Sequence, residues 1–160
     1  MIKVIIVILL IFNIVACEPI SPASTKSDDQ QQVSFVCLIS QSRCSVESNY
    51  GHFTLHFSQA VQEGKIKTEL PFYIQLSFEG LNETYQLKNI SAYLEGKSMF
   101  MGKIPVFFEK KGINVMVAES LLANCSEEVM TWQLWIQTEI LIDGKVQQQG
   151  FFIDFDSQRL

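Results

Sequence analysis

The fold is decided by the long stretch of residues 130–156, which reads MTWQLWIQTEILIDGKVQQQGFFIDFD. Its large apolar residues recur at every second position, at Met130, Trp132, Leu134, Ile136, Ile140, Ile142, Phe151, Ile153 and Phe155. A period of two predicts β-strands that turn one face toward a core, with Trp132 between two sheets. The dipeptide Asp143-Gly144 predicts a tight hairpin turn between the two strands.

The same alternation recurs along the chain from Val33 onward. The inward positions are Val33, Phe35, Cys37 and Ile39; Phe53, Leu55 and Phe57; Phe72, Ile74, Leu76 and Phe78; Ile90, Ala92 and Leu94; Ile104, Val106 and Phe108; and Ile113, Val115 and Val117. Seven or eight short strands separated by turn residues predict an all-β, antiparallel immunoglobulin-like β-sandwich over residues 33–160. A closed barrel is the alternative. One helical turn is expected at Ala118–Ala123.

Residues 1–16 have the pattern of a bacterial lipoprotein signal peptide. One cationic residue precedes an apolar run that is shorter than the roughly 20 residues of a membrane span. The tetrad Ile14-Val15-Ala16-Cys17 resembles a lipobox, whose cysteine becomes lipidated; ordinary signal-peptidase cleavage after Ala16 is the alternative. Glu18 is not the aspartate that retains such lipoproteins at the inner membrane. The resemblance therefore implies a lipid anchor at Cys17, at the outer membrane and facing the periplasm.

Residues 17–32 are polar and rich in proline, serine and glutamine, which predicts a flexible tether between the anchor and the domain. The formal net charge of the chain is −5, without a basic run. Such a chain is a poor ligand for nucleic acid. It also has no electrostatic attraction to anionic lipid, so membrane attachment would rest on acyl chains at Cys17.

No pattern of catalytic residues is apparent in the sequence. It has neither a nucleophile elbow nor a glycine loop that cradles phosphate. The two histidines, His52 and His56, lie in a predicted strand. Four residues along a strand separate them by about 13 Å, too far to bind one metal ion. A non-enzymatic protein is expected.

Three cysteines remain after the predicted anchor, and the oxidising periplasm favours one disulfide among them. Cys37 and Cys44 are close enough in sequence to close a local hairpin. In an immunoglobulin-like sandwich, however, the loops that carry Cys44 and Cys125 lie at the same end, which favours that pairing. Cys37 also fits an inward position as a buried thiol. The pairing stays open at this point.

The segment of residues 95–105, EGKSMFMGKIP, sets two methionines one residue apart, beside a glycine and a proline. If the segment is extended, Met99 and Met101 point the same way, with Cα atoms about 6.7 Å apart. Thioether sulfur is soft and selects Cu(I) over hard cations. Cys125 or Met130 would be a third ligand. The alternative is that the methionines only fill gaps in an apolar region.

These features together resemble the small membrane-anchored periplasmic domains of the FixH and YtkA-like kind. The resemblance is carried by Met99, Met101 and Gly102, and by a cysteine shortly before a Met-x-Trp strand (Cys125, Met130 and Trp132). It implies an immunoglobulin-like sandwich involved in copper delivery or oxidase assembly. The sequence has no histidine beside these methionines, and a lipid anchor replaces the usual transmembrane helix.

The sequence thus predicts a non-enzymatic outer-membrane lipoprotein that binds Cu(I) through the Met-x-Met turn or assists the assembly of a metalloenzyme. The alternative is an envelope module that recognises another protein and holds no metal.

Overall fold

The computed structural model describes residues 33–36, 43–60 and 66–160. Within these ranges the chain forms eleven strands and no helix. The strands are β1 (Val33–Val36), β2 (Arg43–Ser48), β3 (Gly51–Ser58), β4 (Ile66–Lys67), β5 (Phe72–Gly80), β6 (Gln86–Gly96), β7 (Lys103–Val106), β8 (Glu109–Lys110), β9 (Val115–Ser120), β10 (Val129–Ile142) and β11 (Lys145–Gln158). The described residues contain no helix of the length and apolarity that crossing a membrane requires.

The strands are arranged in two separate sheets. The first sheet has the order β1-β11-β10-β6-β7, with β4 pairing β11 off this path, and the second has the order β2-β3-β5-β9-β8. Most neighbours are antiparallel, but β1 and β4 both pair with β11 in parallel. The prediction of an all-β, mostly antiparallel fold is therefore confirmed. The strand count exceeds the predicted seven or eight, because two-residue strands such as β4 and β8 show no alternation in the sequence.

The hairpin of β10 and β11 is the longest feature of the first sheet, and it was predicted from the sequence. The two strands pair in unbroken register from Val129 with Gln158 to Ile142 with Lys145. Asp143 and Gly144 have φ values of 48° and 78° at the turn. Two consecutive positive φ angles suit a two-residue turn whose twist matches that of the strands.

One hydrophobic core lies between the two sheets, which gives the fold a β-sandwich-like, two-layer form. Phe53 of the second sheet contacts Phe151 of the first, with 5.1 Å between ring centroids, and Phe57 contacts Phe155 at 4.9 Å. Trp132 is fully buried in this core, at 0% exposure. The inward phase predicted for β10 is therefore confirmed.

The expected helical turn at Ala118–Ala123 is wrong. Ala118 belongs to β9, which pairs with β5 in antiparallel register as far as Ser120 opposite Phe72. Six residues are too few to form a stable helix alone, and strand pairing satisfies the same backbone groups.

The predicted phase of β9 is also wrong by one residue. Met116 and Ala118 are buried, whereas Val115 and Val117 are half-buried and Ile113 is exposed. Both alternating sets along β9 are apolar, so the local pattern did not distinguish the faces. The register with β5, in which Met116 lies opposite Leu76, determines which face of β9 is buried.

The predicted signal peptide at residues 1–16, the tether at residues 17–32 and the thiol of Cys37 lie outside the described residues. The anchor at Cys17 stays a prediction on the same ground.

Candidate functional site

The connection between β6 and β7 carries the two methionines that the sequence singled out. The chain bends at residues 97–99 and does not continue as a strand, so the expected extended geometry of Ser98–Met101 is wrong. Met99 is 39% exposed, whereas Met101 is half-buried and packs against the core. The two side chains therefore occupy different environments and do not share one strand face.

Met99 instead meets a cysteine from the connection between β9 and β10. The thiol Sγ of Cys125 donates to the thioether Sδ of Met99 at 3.4 Å. The two residues are 26 positions apart in the chain. Cys125 is half-buried, with a free thiol. Two of the predicted soft ligands are therefore in direct contact at a place that solvent reaches.

The backbone around Cys125 favours its thiolate. A hydrogen bond from the backbone N–H of Glu127 lowers the pKa of the thiol below its ordinary value, and the hydroxyl and N–H of Ser126 act in the same direction. Desolvation and the Glu127 carboxylate oppose this effect. Because the thiolate is the nucleophile and the metal ligand, the lowered pKa makes Cys125 a better sulfur donor near neutral pH.

Gly96, at the end of β6, permits the close packing of this loop. A Cβ at this position would lie 2.3 Å from the carbonyl oxygen of Met99, 2.4 Å from Cε of Met130 and 3.3 Å from Cγ of Met101. No side chain fits there unless the backbone of the loop moves. Sequence reasoning did not identify this role, although a glycine inside a strand is a signal for close approach of another backbone.

The four candidate sulfur ligands therefore divide into two groups. Met99 and Cys125 are in contact at the surface, whereas Met101 and Met130 each lie beside Gly96 on the core side. Met130 is buried, at 4% exposure. Across the described ranges, no group of three His, Cys, Asp or Glu residues is positioned to hold a metal ion. The sulfur pair is thus the candidate for a metal site.

The preferred disulfide between Cys44 and Cys125 is not present. Cys125 has a free thiol beside Met99, whereas Cys44 is buried in β2 at the edge of the second sheet, opposite Leu55. The prediction assumed the loop positions of a seven-strand sandwich. The additional strands between the two cysteines remove that equivalence. A pairing of Cys44 with Cys37 stays a prediction.

Comparison with known proteins supports the fold and leaves the function open. The chain is similar in structure to a DUF4785 family protein from Legionella pneumophila, with a TM-score of 0.55 and 12% sequence identity. The match covers 70% of this chain and 29% of that protein, so the chain spans less than a third of its length. No protein-family model and no curated protein matches the chain significantly. At this identity the likeness concerns the fold alone.

Proposed function

We propose that the protein is a non-enzymatic, lipid-anchored envelope protein that binds Cu(I) through Cys125 and Met99. The single observation that supports this function is the contact of 3.4 Å between Cys125 Sγ and Met99 Sδ. The sequence pattern predicted Met99 and Met101 as the primary pair, with Cys125 or Met130 as a third ligand. The geometry favours Cys125 and Met99 as the primary pair, because Met101 packs against the core instead.

The donor chemistry fits a soft, monovalent ion. Thiolate and thioether sulfur select Cu(I) over Mg²⁺ or Ca²⁺, which take oxygen ligands. Zinc sites use cysteine, histidine and carboxylate ligands, usually four of them, and the described residues hold no such group around Cys125. A small rotation of the exposed Met99 side chain is sufficient to direct both sulfur atoms at one ion, because its three rotatable bonds leave it flexible.

The experiment is a titration of the protein with Cu(I) in competition with a Cu(I) chelator. Met99→Leu and Cys125→Ser are expected to weaken binding at least about tenfold, equivalent to about 1.4 kcal/mol each, because neither replacement retains a sulfur donor. Met116→Leu is the matched control, since Met116 is buried in β9. A swap of Met for Leu conserves volume and typically costs less than about 1.5 kcal/mol of stability.

Two outcomes would contradict the copper function. One is that Met99→Leu and Cys125→Ser bind Cu(I) as tightly as the parent protein does. The other is that Zn²⁺ binds as well as Cu(I), because the selectivity argument rests on soft sulfur donors.

The anchor at Cys17, the location at the periplasmic side of the outer membrane and the immunoglobulin-like topology belong to the same proposal. They rest on the lipobox and on the likeness to the FixH and YtkA-like domains. The sandwich-like arrangement of two sheets is consistent with that topology. It also provides the rigid strands on which the loop with Met99 is mounted.

An envelope module that recognises another protein is the second candidate. The observation in its favour is the exposure of Phe100, which is 94% exposed immediately beside Met99. A large aromatic side chain in water next to the candidate site suits contact with a partner protein. Phe100→Ser leaves Cu(I) affinity unchanged if the phenyl ring serves only a partner.

A further inference from the structure

The outward face of the first sheet is a firmly packed surface next to the strand end from which the Met99 bend departs. Tyr93, Trp135 and Phe152 lie opposite one another in the register of β6, β10 and β11. The ring of Tyr93 stacks on Trp135 at 6.0 Å between centroids, and Trp135 packs on Phe152 at 4.8 Å. Aromatic pairs at such distances attract each other beyond the burial of their area. Side chains on the same face of these three strands therefore have a rigid base.

Asp154 is a carboxylate on this face and is almost fully buried, at 5% exposure. Gln133, which lies opposite Asp154 in β10, donates from Nε2 to Oδ1 at 2.9 Å. The second carboxylate oxygen, Oδ2, accepts a hydrogen bond from Nζ of Lys97. Removal of a charge from water is costly unless the charge is paired and hydrogen-bonded. Asp154 therefore needs a cation, and Lys97 supplies it.

Lys97 is the first residue of the bend that leads to Met99. It follows Gly96, the last residue of β6. Its backbone N–H donates to the carbonyl oxygen of Thr131 in β10 at 3.0 Å. Its side chain reaches across β10 to Asp154 in β11, the next strand of the sheet. Lys97 thus ties the start of the bend to two strands at once.

The bend has few restraints of its own beyond Lys97. Within the described ranges, residues 98–102 form no hydrogen bonds between backbone groups. Ser98 and Phe100 are exposed on either side of Met99. The contact that holds the bend down is the carbonyl oxygen of Met99 against Gly96. The position of Met99 therefore depends strongly on the direction in which the chain leaves Lys97.

The connection that carries Cys125 is held separately. Asn124 Oδ1 accepts from the backbone N–H of Cys125 at 3.1 Å and from Oγ1 of the buried Thr68 at 3.4 Å. The N–H of Glu69 donates to the carbonyl oxygen of Leu122 at 2.9 Å. These bonds fix the cysteine from the side of β4, so the bend is the half of the sulfur pair that needs a further restraint.

We propose that Lys97 is a positioning residue for the sulfur pair. Its ion pair with Asp154 orients the bend so that Met99 Sδ meets Cys125 Sγ at 3.4 Å. The role concerns a contact between two side chains of the protein, so it goes beyond the proposed Cu(I) function and is tested without copper. Where copper does bind, a bend that is already oriented lowers the entropy lost on binding.

A second lysine ion pair in the structure shows why this one has a positional effect. Lys111 pairs with Glu109 at 2.8 Å, and both side chains are mostly exposed, at 57% and 75%. Such exposed pairs contribute little, because water solvates either partner alone. In the Lys97 pair the carboxylate side chain is only 6% exposed, so water does not replace the ammonium there. Lys111 is therefore a matched control.

The test is a nuclear Overhauser measurement on the full-length protein in detergent, with methionine labelled at the ε-methyl carbon. The wild type is expected to show a cross-peak between the Met99 methyl group and the β protons of Cys125. Lys97→Gln is expected to lower its intensity about twofold or more, because the ion pair no longer favours the conformation in contact. Lys97→Arg keeps the charge and is expected to retain the cross-peak, and Lys111→Gln is expected to leave it unchanged.

A double variant keeps the test decisive if Lys97→Gln does not fold. Lys97→Gln combined with Asp154→Asn leaves no buried carboxylate without its cation. Hydrogen bonds between two neutral amides are weaker than those of an ion pair, so the cross-peak is still expected to fall. The Cu(I) dissociation constant should rise by the same factor as the fraction of molecules in contact falls.

Four results would overturn the positioning role. They are a wild type without the cross-peak, an unchanged cross-peak in folded Lys97→Gln or in the double variant, an equal loss in Lys111→Gln, and a loss in Lys97→Arg as large as that in Lys97→Gln. The copper function fails in a different way. A wild type that shows the cross-peak but binds no Cu(I) contradicts that function, and a cross-peak lost in Lys97→Gln still supports the role of Lys97.

Discussion

Replacement of Trp132 by alanine is expected to lower the free energy of unfolding by about 3–5 kcal/mol. The indole is fully buried between the two sheets, so its removal leaves a cavity in the core. Its Nε1 also donates to Ser157 Oγ at 2.9 Å, and Ser157 is itself 2% exposed. The variant therefore loses apolar packing and leaves a buried hydroxyl without its donor, which costs about 1–3 kcal/mol by itself. We expect the loss to fall in the upper part of the range.

Two further variants separate these contributions. Trp132→Phe keeps most of the aromatic packing and loses the indole N–H, so about 1–3 kcal/mol of the loss should remain. Trp135→Ala removes an indole from the opposite, outward face of β10. This indole is half-buried, and its Nε1 donates a hydrogen bond to Glu95 Oε1 at 2.6 Å. Its expected cost is about 1 kcal/mol, the centre of the range for ordinary substitutions.

The assay is urea denaturation followed by far-ultraviolet circular dichroism, since tryptophan fluorescence changes in every variant. The midpoint should shift while the slope with denaturant stays constant, which indicates an effect on stability and not on compactness. Equal losses for Trp132→Ala and Trp135→Ala would refute the reasoning, because they would mean that both faces of β10 are equally enclosed.

Three other variants test the sulfur site and the anchor. Gly96→Ala places a Cβ against the carbonyl oxygen of Met99, so it is expected to lower stability by about 1–3 kcal/mol and to weaken Cu(I) binding. Gly112→Ala is the control, because a Cβ there makes only ordinary contacts. Equal stability and equal Cu(I) affinity of the two variants would contradict the close packing of the loop against Gly96. The alkylation rate of Cys125 is expected to reach half its maximum at a lower pH than that of a cysteine in an unstructured peptide, because the hydrogen bond from the Glu127 N–H lowers the pKa of the thiol. A midpoint at or above that of the peptide would contradict this prediction. Cys17→Ser is expected to leave unprocessed precursor without lipid label, and normal processing with normal membrane association would exclude the lipid anchor.

Local patterns in the sequence were sufficient for the all-β class and for the hairpin of β10 and β11. A strict period of two over many residues has one physical reading, a strand with one buried face, and Trp132 followed from it directly. The same reasoning misplaced Ala118 in a helix and assigned the wrong face of β9. Both alternating sets of side chains in β9 are apolar, so only the partner strand distinguishes them.

The candidate metal site was predicted in part. The soft character of Met99, Met101, Met130 and Cys125 is a property of side-chain chemistry and could be read from the sequence alone. Their grouping could not, because the bend at residues 97–99 separates Met99 from Met101 and brings Met99 to Cys125. A contact between residues 26 positions apart depends on how two loops are placed by their strands, and no local pattern encodes that.

The sequence by itself determined the strand periodicity, the turn at Asp143 and Gly144, and the predictions of a lipid anchor and a soft-metal ligand set. These depend on backbone geometry and side-chain chemistry, which act within a few residues. Only the tertiary structure decided the order of strands in the two sheets, the free thiol of Cys125, and the alignment of Tyr93, Trp135 and Phe152 across three strands. Each of these depends on register between distant segments, which is set when the two sheets bury their apolar faces against each other.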